Sequence, residues 1–194
     1  VAAARAYLPA PGRHVDAGCG HGSVVYDLLA RGWDAHGFDI SDWMIEQVRA
    51  DDTAASDRFA VGSLGDVPFE GDFDLITCFE VLEHVPDPVG DLRALGSRLT
   101  PGGRLIATTP NLRPGMPWPD PLTSDPTHIN VHSPAWWRGA LRAAGMRVET
   151  VSTFISVPLL WRYHASLSRW VGLGPRVGPG TLLVAGRADL PDAS

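Results

Sequence analysis

Ten residues constrain the fold of this chain more than any others: His14-Val15-Asp16-Ala17-Gly18-Cys19-Gly20-His21-Gly22-Ser23. They read as a short buried strand ending in an acid, a glycine-rich turn, and the start of a helix. Glycines in the turn let the main chain bend sharply and let a ligand lie against it where a Cβ would collide. The helix behind them offers free N–H groups and the positive end of its dipole. A strand, turn and helix in this order open a βαβ unit, which commits the downstream chain to a parallel sheet covered by helices. The turn itself is suited to cradle a nucleoside-bearing ligand.

The spacing narrows the ligand. A dinucleotide fingerprint runs G-x-G-x-x-G; here the third glycine comes one residue early, at Gly22, and Asp16 stands two places before Gly18. Trp33-Asp34-Ala35-His36-Gly37-Phe38-Asp39 reads as a second strand that also ends in an acid. An acid about 20 residues past the glycine turn is placed to accept both ribose hydroxyls, although Asp39 or Ser41 would also serve as a helix N-cap. Two further segments complete the pattern, Val61-Gly62-Ser63-Leu64-Gly65-Asp66-Val67-Pro68-Phe69 and Phe73 to Val85.

Together these four segments resemble the class I S-adenosylmethionine (SAM)-dependent methyltransferases, over residues 13 to 110 with weaker echoes to about 150. The small-molecule members, which act on quinones and secondary metabolites, are the nearest in pattern. The resemblance implies an α/β, Rossmann-like, mostly parallel seven-stranded sheet with helices on both faces and a C-terminal antiparallel hairpin. It implies SAM as cofactor. Asp16, Gly18, Cys19 and Gly20 would hold the methionine end, and Asp39 with Ile40 the ribose. Ser63 and Leu64 would meet the adenine edge. The family usually has an acid at the position of Ser63, so a main-chain contact near Leu64 is the expected replacement. Phe79 and Glu80 would line the cofactor near the acceptor, whereas Glu83 more often serves structure.

Length fits one domain over 1–194, with 110–132 and 156–180 as substrate-side insertions, because loops this long in a compact domain are commonly functional. All 16 basic residues are arginine, which excludes a Schiff-base or P-loop lysine. The net charge is −6 and no basic stretch is interleaved with aromatics, so nucleic acid is disfavoured as a partner. Two cysteines without metal spacing, Cys19 and Cys78, fit a reducing cytoplasm and read as small buried filler. The apolar run from Phe154 to Leu173 is interrupted by Arg162, His164 and Arg169, so no membrane span is expected. Only Val1 to Gly12 precede the first strand, so either the site is open on that side or the chain is trimmed. The oligomeric state is left open.

Strands are expected at 13–17, 34–39, 57–61, 73–79, 103–109, 147–155 and 181–187, and helices at 23–31, 41–50, 87–99 and 133–144. Ser41 and Ser133 are expected N-caps, Pro134 fits a first helical turn, and Gly102-Gly103 turns the chain into the fifth strand. The stretch Leu159 to Leu173 reads as an amphipathic helix over the acceptor pocket or a dimer surface.

Methyl transfer from a sulfonium is an in-line displacement, so the protein supplies alignment and, for a hydroxyl acceptor, a base. His128, in Ser124-Asp125-Pro126-Thr127-His128-Ile129-Asn130, is the first candidate base, with Asp125 to orient its ring and Asn130 to bond the acceptor. A loop histidine tied to backbone is the plain alternative. His84, beside Glu80 and Glu83, is the second candidate, and its plain role is to close the turn before Pro86. His128 and His132 stand at i, i+4, but Pro126 and Pro134 argue against a helix there, and no metal is expected. His21 could touch the cofactor's carboxylate or face solvent. Trp118, Trp136, Trp137, Trp161 and Trp170 would form core, hairpin packing or an apolar acceptor pocket, with Trp118 on the loop against the acceptor. The reading is thus a methyltransferase acting on a small organic acceptor, oxygen first. A SAM-binding regulator or scaffold, or a nicotinamide-dependent oxidoreductase, are the alternatives.

Overall fold

The structure, a computed structural model, describes residues 10–112, 125–158, 168–172 and 180–188. Strands β1 (Arg13–Ala17), β2 (Asp34–Asp39), β3 (Phe59–Val61), β4 (Phe73–Phe79), β5 (Leu99–Pro110), β6 (Met146–Pro158), β7 (Ser168–Gly172) and β8 (Gly180–Arg187) form one sheet. Helices α1 (Ser23–Leu29), α2 (Asp42–Asp51), α3 (Pro88–Ser97) and α4 (Pro134–Ala143) alternate with them. The strand order is β3-β2-β1-β4-β5-β8-β6-β7, and β1 to β5 run parallel. Strand β8 inserts between β5 and β6, antiparallel to both, which is the expected C-terminal hairpin.

The seven expected strands are present, and an eighth joins them. Residues 168–172, read from sequence as part of an amphipathic helix, are a strand antiparallel to the end of β6. Tertiary pairing along the long β6 overrides the local pattern. The fifth strand starts at Leu99 rather than at the glycine pair. Phe73 pairs with Leu99 and Leu75 with Arg104, so Gly102-Gly103 forms a bulge inside one strand instead of a turn before it. Residues 57 and 58 end a 3-10 turn (Thr53–Arg58), and only Phe59–Val61 pair as β3.

Neighbouring residues of each central strand face opposite sides of the sheet, and the core divides accordingly. Val15, Ile76, Leu105 and Leu183 pack with Leu92 and Leu95 of α3 and Trp137 and Leu141 of α4. Leu75, Ile106 and Val184 pack with Val25 and Leu28 of α1 and Ile45 and Val48 of α2. The expected caps form: the Ser41 hydroxyl accepts from Met44 N–H at 3.2 Å and the Ser133 hydroxyl from Trp136 N–H at 3.4 Å. Arg98 fixes the loop before β4, donating to the carbonyls of Val67, Phe69 and Gly71. No helix of the described residues is long and apolar enough to cross a membrane.

Candidate functional site

The site lies at the carboxyl ends of β1, β2 and β4, where the parallel strands release their loops. The glycine turn leaves β1 and docks on the end of β2: the N–H groups of Gly18 and Cys19 both donate to Phe38 O, at 2.8 and 2.9 Å. Gly18 has φ +78°, and a Cβ there would collide with Val81 Cγ2, so this glycine packs against the loop that leaves β4. Gly20 has φ +49°, but a Cβ there would meet nothing within 4 Å. Its open side is the space a cofactor would take.

Asp39 joins the two motifs physically. Its Oδ2 accepts from Gly20 N–H at 3.0 Å and its Oδ1 from Ser41 N–H at 3.0 Å. Each oxygen keeps a lone pair for a ribose hydroxyl. Ile40 is 80% exposed, and Ser63 is exposed beyond the end of β3, while the Leu64 side chain is buried in the core. Only the main chain at Leu64 can therefore meet a ligand. The Ser63–Asp66 turn is closed by Asp66 N–H on Ser63 O at 3.1 Å. Phe79 is half-buried at the end of β4, and exposed Glu80 comes next with φ 56°, the one non-glycine positive φ among the described residues. Backbone strain of this kind concentrates at functional sites. An open glycine cradle, a two-pronged acid and a shallow apolar lip fit a nucleoside cofactor.

Asp16 is buried below the turn. Thr77 Oγ1 donates to its Oδ1 at 2.5 Å, and His14 Nε2 lies 2.8 Å from the same hydroxyl. Burial raises the Asp16 carboxyl from 3.8 to about 7, against the opposing pull of the Thr77 hydrogen bond. Burial also lowers His14 to about 3, so its ring is neutral. The Cys19 thiol is pushed up to about 12 and that of Cys78 well above its ordinary value, again by burial. Both side chains are buried, which suits small filler and keeps the thiols protonated.

The two histidines that sequence offered as alternatives stand together. The rings of His84 and His128 meet edge to face with centroids 4.7 Å apart. One ligand atom from each of Glu83, His84 and His128 lies within 4.8 Å of the other two. Such a set can pass a proton or hold a divalent cation. The Glu83 carbonyl builds it by accepting from both Ile129 N–H and Asn130 N–H, at 2.8 and 2.9 Å. The Glu83 carboxylate is buried, with the Thr109 hydroxyl as a weak neighbouring donor. Burial raises it from 4.5 to about 7, with the Glu80 charge adding to the effect. His84 N–H does close the turn onto Val81 O at 2.9 Å, while its side chain stays exposed. The turn-closing role is thus met by the main chain, and the side chain stays accessible.

Two side chains assigned from sequence have other partners here. The Asp125 Oδ1 accepts from Thr127 N–H and Oγ1, at 2.9 and 2.6 Å, and Thr127 Oγ1 lies 3.0 Å from His84 Nδ1. The acid thus reaches His84 through Thr127, and its charge also acts on His128. Asn130 does not wait for an acceptor: its Nδ2 donates to Val85 O and its Oδ1 faces His132 Nε2 at 3.1 Å. It ties the loop to the β4 exit. His132 stacks on Trp136 with ring centroids 3.6 Å apart. Trp137 is core, and Trp136 is partly exposed. His21 is exposed. Trp118 and Trp161 lie outside the described residues. The insertion expected at 110–132 has its ends pinned together by an Asn111–His132 bridge, with Leu112 N–H on His132 O at 3.2 Å.

Sequence reasoning gave no role to His14 or Thr77, and only a structural one to Glu83. The first two lie within the motif segments, yet their meeting depends on strand register alone.

Known proteins agree with this geometry. Residues 1–151 match the family model described as a methyltransferase domain. The chain is 33% identical over 174 residues to a ubiquinone biosynthesis O-methyltransferase of Xanthomonas axonopodis pv. citri, covering 82% of this chain and 72% of that relative. It superposes on a chain of the Haloferax volcanii complex between the Trm112 methyltransferase activator and a methyltransferase. That match has TM-score 0.74 at 21% identity and covers 97% and 88% of the two chains. The magnesium protoporphyrin IX methyltransferase of Synechocystis PCC 6803, solved with S-adenosylhomocysteine (SAH) bound, gives TM-score 0.64 at 23% identity, covering 92% and 75%. These matches leave the nicotinamide alternative without support. A glycine cradle clasped by Asp39, set in this sheet order and matched by these relatives, places the chain in the class I SAM-dependent methyltransferase family.

Proposed function

We propose that the chain methylates an oxygen of a small organic acceptor, with His128 and His84 supplying the base. The observation that carries this reading is the contact of the two imidazoles above buried Glu83, on the loop that leaves β4 beside the glycine turn. The Xanthomonas relative is named an O-methyltransferase of ubiquinone biosynthesis, which supports a phenolic or quinol hydroxyl as the acceptor group.

When bound, SAM supplies a methyl group already activated on sulfur. The chain's own task is to aim the acceptor and take its proton. Thr127 fixes the His84 ring: its hydroxyl donates to Asp125, so it accepts from His84 Nδ1–H. That leaves the His84 Nε2 lone pair as an acceptor for a proton. His128 lies against this ring and shares the load. An imidazole would take the acceptor's hydroxyl proton and pass it to solvent, while bound SAM would supply the methyl group and leave as the thioether SAH. Ile129, next to His128 in the chain, and Trp136 are exposed apolar groups that would suit an apolar acceptor.

The test uses methyl-labelled SAM against a panel of phenols, amines and carboxylates, with product mass as the readout. We expect transfer to phenols first. His128→Ala should then lower kcat well over tenfold with SAM affinity near wild type, consistent with the worth of a positioned base. His84→Ala should lower it as well. Unchanged turnover in both variants would return the pair to loop packing, and transfer to amines alone would refute the oxygen assignment.

A further inference from the structure

Three polar side chains stand in line inside an otherwise apolar layer. Asp16 pairs in register with Thr77 across β1 and β4, and His14 lies two residues before Asp16 on the same face of β1. His14, Thr77 and Asp16 are 0%, 1% and 3% exposed. Around them lie Leu75, Ile106, Val25 and Cys19. Thr77 Oγ1 is 2.8 Å from His14 Nε2 and 2.5 Å from Asp16 Oδ1.

A threonine hydroxyl has one proton. With Asp16 ionised, that proton must point at Oδ1; the reverse orientation would set two lone pairs against each other across the short contact. The hydroxyl then accepts from His14 Nε2–H, which fixes the histidine tautomer and stops the hydroxyl from rotating. Asp16 Oδ1 thereby takes the threonine's donor, which leaves Oδ2 the less encumbered oxygen for a ligand. His14 Nδ1 meanwhile is buried with no partner among the described residues, an arrangement that destabilises the fold. An aliphatic side chain at 14 would suit this layer better unless the ring has a use.

We propose that His14 and Thr77 are positioning residues that hold Asp16 as a carboxylate, with Oδ2 reserved for the ammonium group of the cofactor's amino-acid end. The proposal rests on the assignment of Asp16 to the methionine end. It gives a reason for a buried relay: Asp39 on β2 repels the Asp16 charge and burial opposes it, so an oriented donor is what keeps the carboxylate available.

The experiment is calorimetric titration with two ligands that share the nucleoside and thioether, SAH and 5′-methylthioadenosine. Only SAH carries the ammonium group. Thr77→Val should weaken SAH about tenfold, the scale of a lost hydrogen bond to a charged group, and leave 5′-methylthioadenosine within about twofold. Thr77→Ser should restore SAH affinity. His14→Leu should weaken SAH several-fold, again selectively, and should melt no lower than wild type. On an Asp16→Asn background, Thr77→Val should cost no further affinity. Equal losses for both ligands, or wild-type SAH affinity in Thr77→Val and His14→Leu, would overturn the proposal. Should Thr77→Val fail to fold, His14→Leu decides alone. A wild-type protein that binds neither ligand would instead refute the cofactor site itself.

Discussion

At the scale of single residues, burial sets the chemistry of Glu83. Its carboxyl rises from 4.5 to about 7 because desolvation penalises the charge. The folded state therefore holds a proton that the unfolded chain releases at lower pH. The stability this gives is present in full below the unfolded value and is lost as pH rises from about 4.5 through about 7. Glu83→Gln removes the penalty without changing shape. It should leave the melting temperature near wild type at pH 4.5 and raise it by several degrees at pH 8, from a free-energy gain of up to about 3 kcal/mol. Calorimetric melts at the two pH values check this; an equal shift at both would show that desolvation of the charge is not the cause. The same residue illustrates what sequence can hide. Glu83 reads from sequence as a structural acid, but its burial and raised carboxyl come only from the folded chain around it.

At the scale of elements, the turn between β1 and α1 separates packing from recognition. Gly18 and Gly20 both hold positive φ, yet the first faces Val81 and the second faces open space. Gly18→Ala adds a clash to backbone strain and should lower stability by roughly 2–4 kcal/mol. Gly20→Ala bears the strain alone and should lower stability by about 1 kcal/mol, while weakening SAH more than tenfold. Melts and calorimetry on the two variants check the split; equal effects on both readouts would deny it. This turn, its flanking acids and the helix caps were all legible, because each depends on a few adjacent residues. The bulge in β5 and the strand β7 were not. Gly102-Gly103 looks like a turn until β4 pairs on both sides of it, and 168–172 becomes a strand only because β6 extends far enough to receive it.

At the scale of the whole molecule, the sheet brings three carboxyl-end loops to one edge, and a ligand there should stabilise the fold as a unit. SAH at about a hundred times its Kd should add roughly 2.7 kcal/mol, a rise of about 5–10 °C in melting temperature for a domain of this size. NAD(H) at the same concentration should leave the melt unchanged, and a shift with NAD(H) alone would contradict the cofactor assignment.

The amino-acid sequence by itself determined the alternation of strands and helices, the cradle and the acid that clasps it, since periodicity, glycine and charge act over short stretches of chain. Tertiary structure alone decided which polar groups meet. Thr77 reaches Asp16 across 61 residues and His84 reaches Thr127 across 43, through strand register and a loop folded back on the β4 exit. Neither contact has a local pattern. Each exists because pairing strands and burying their faces fixes distances that no neighbouring residues encode.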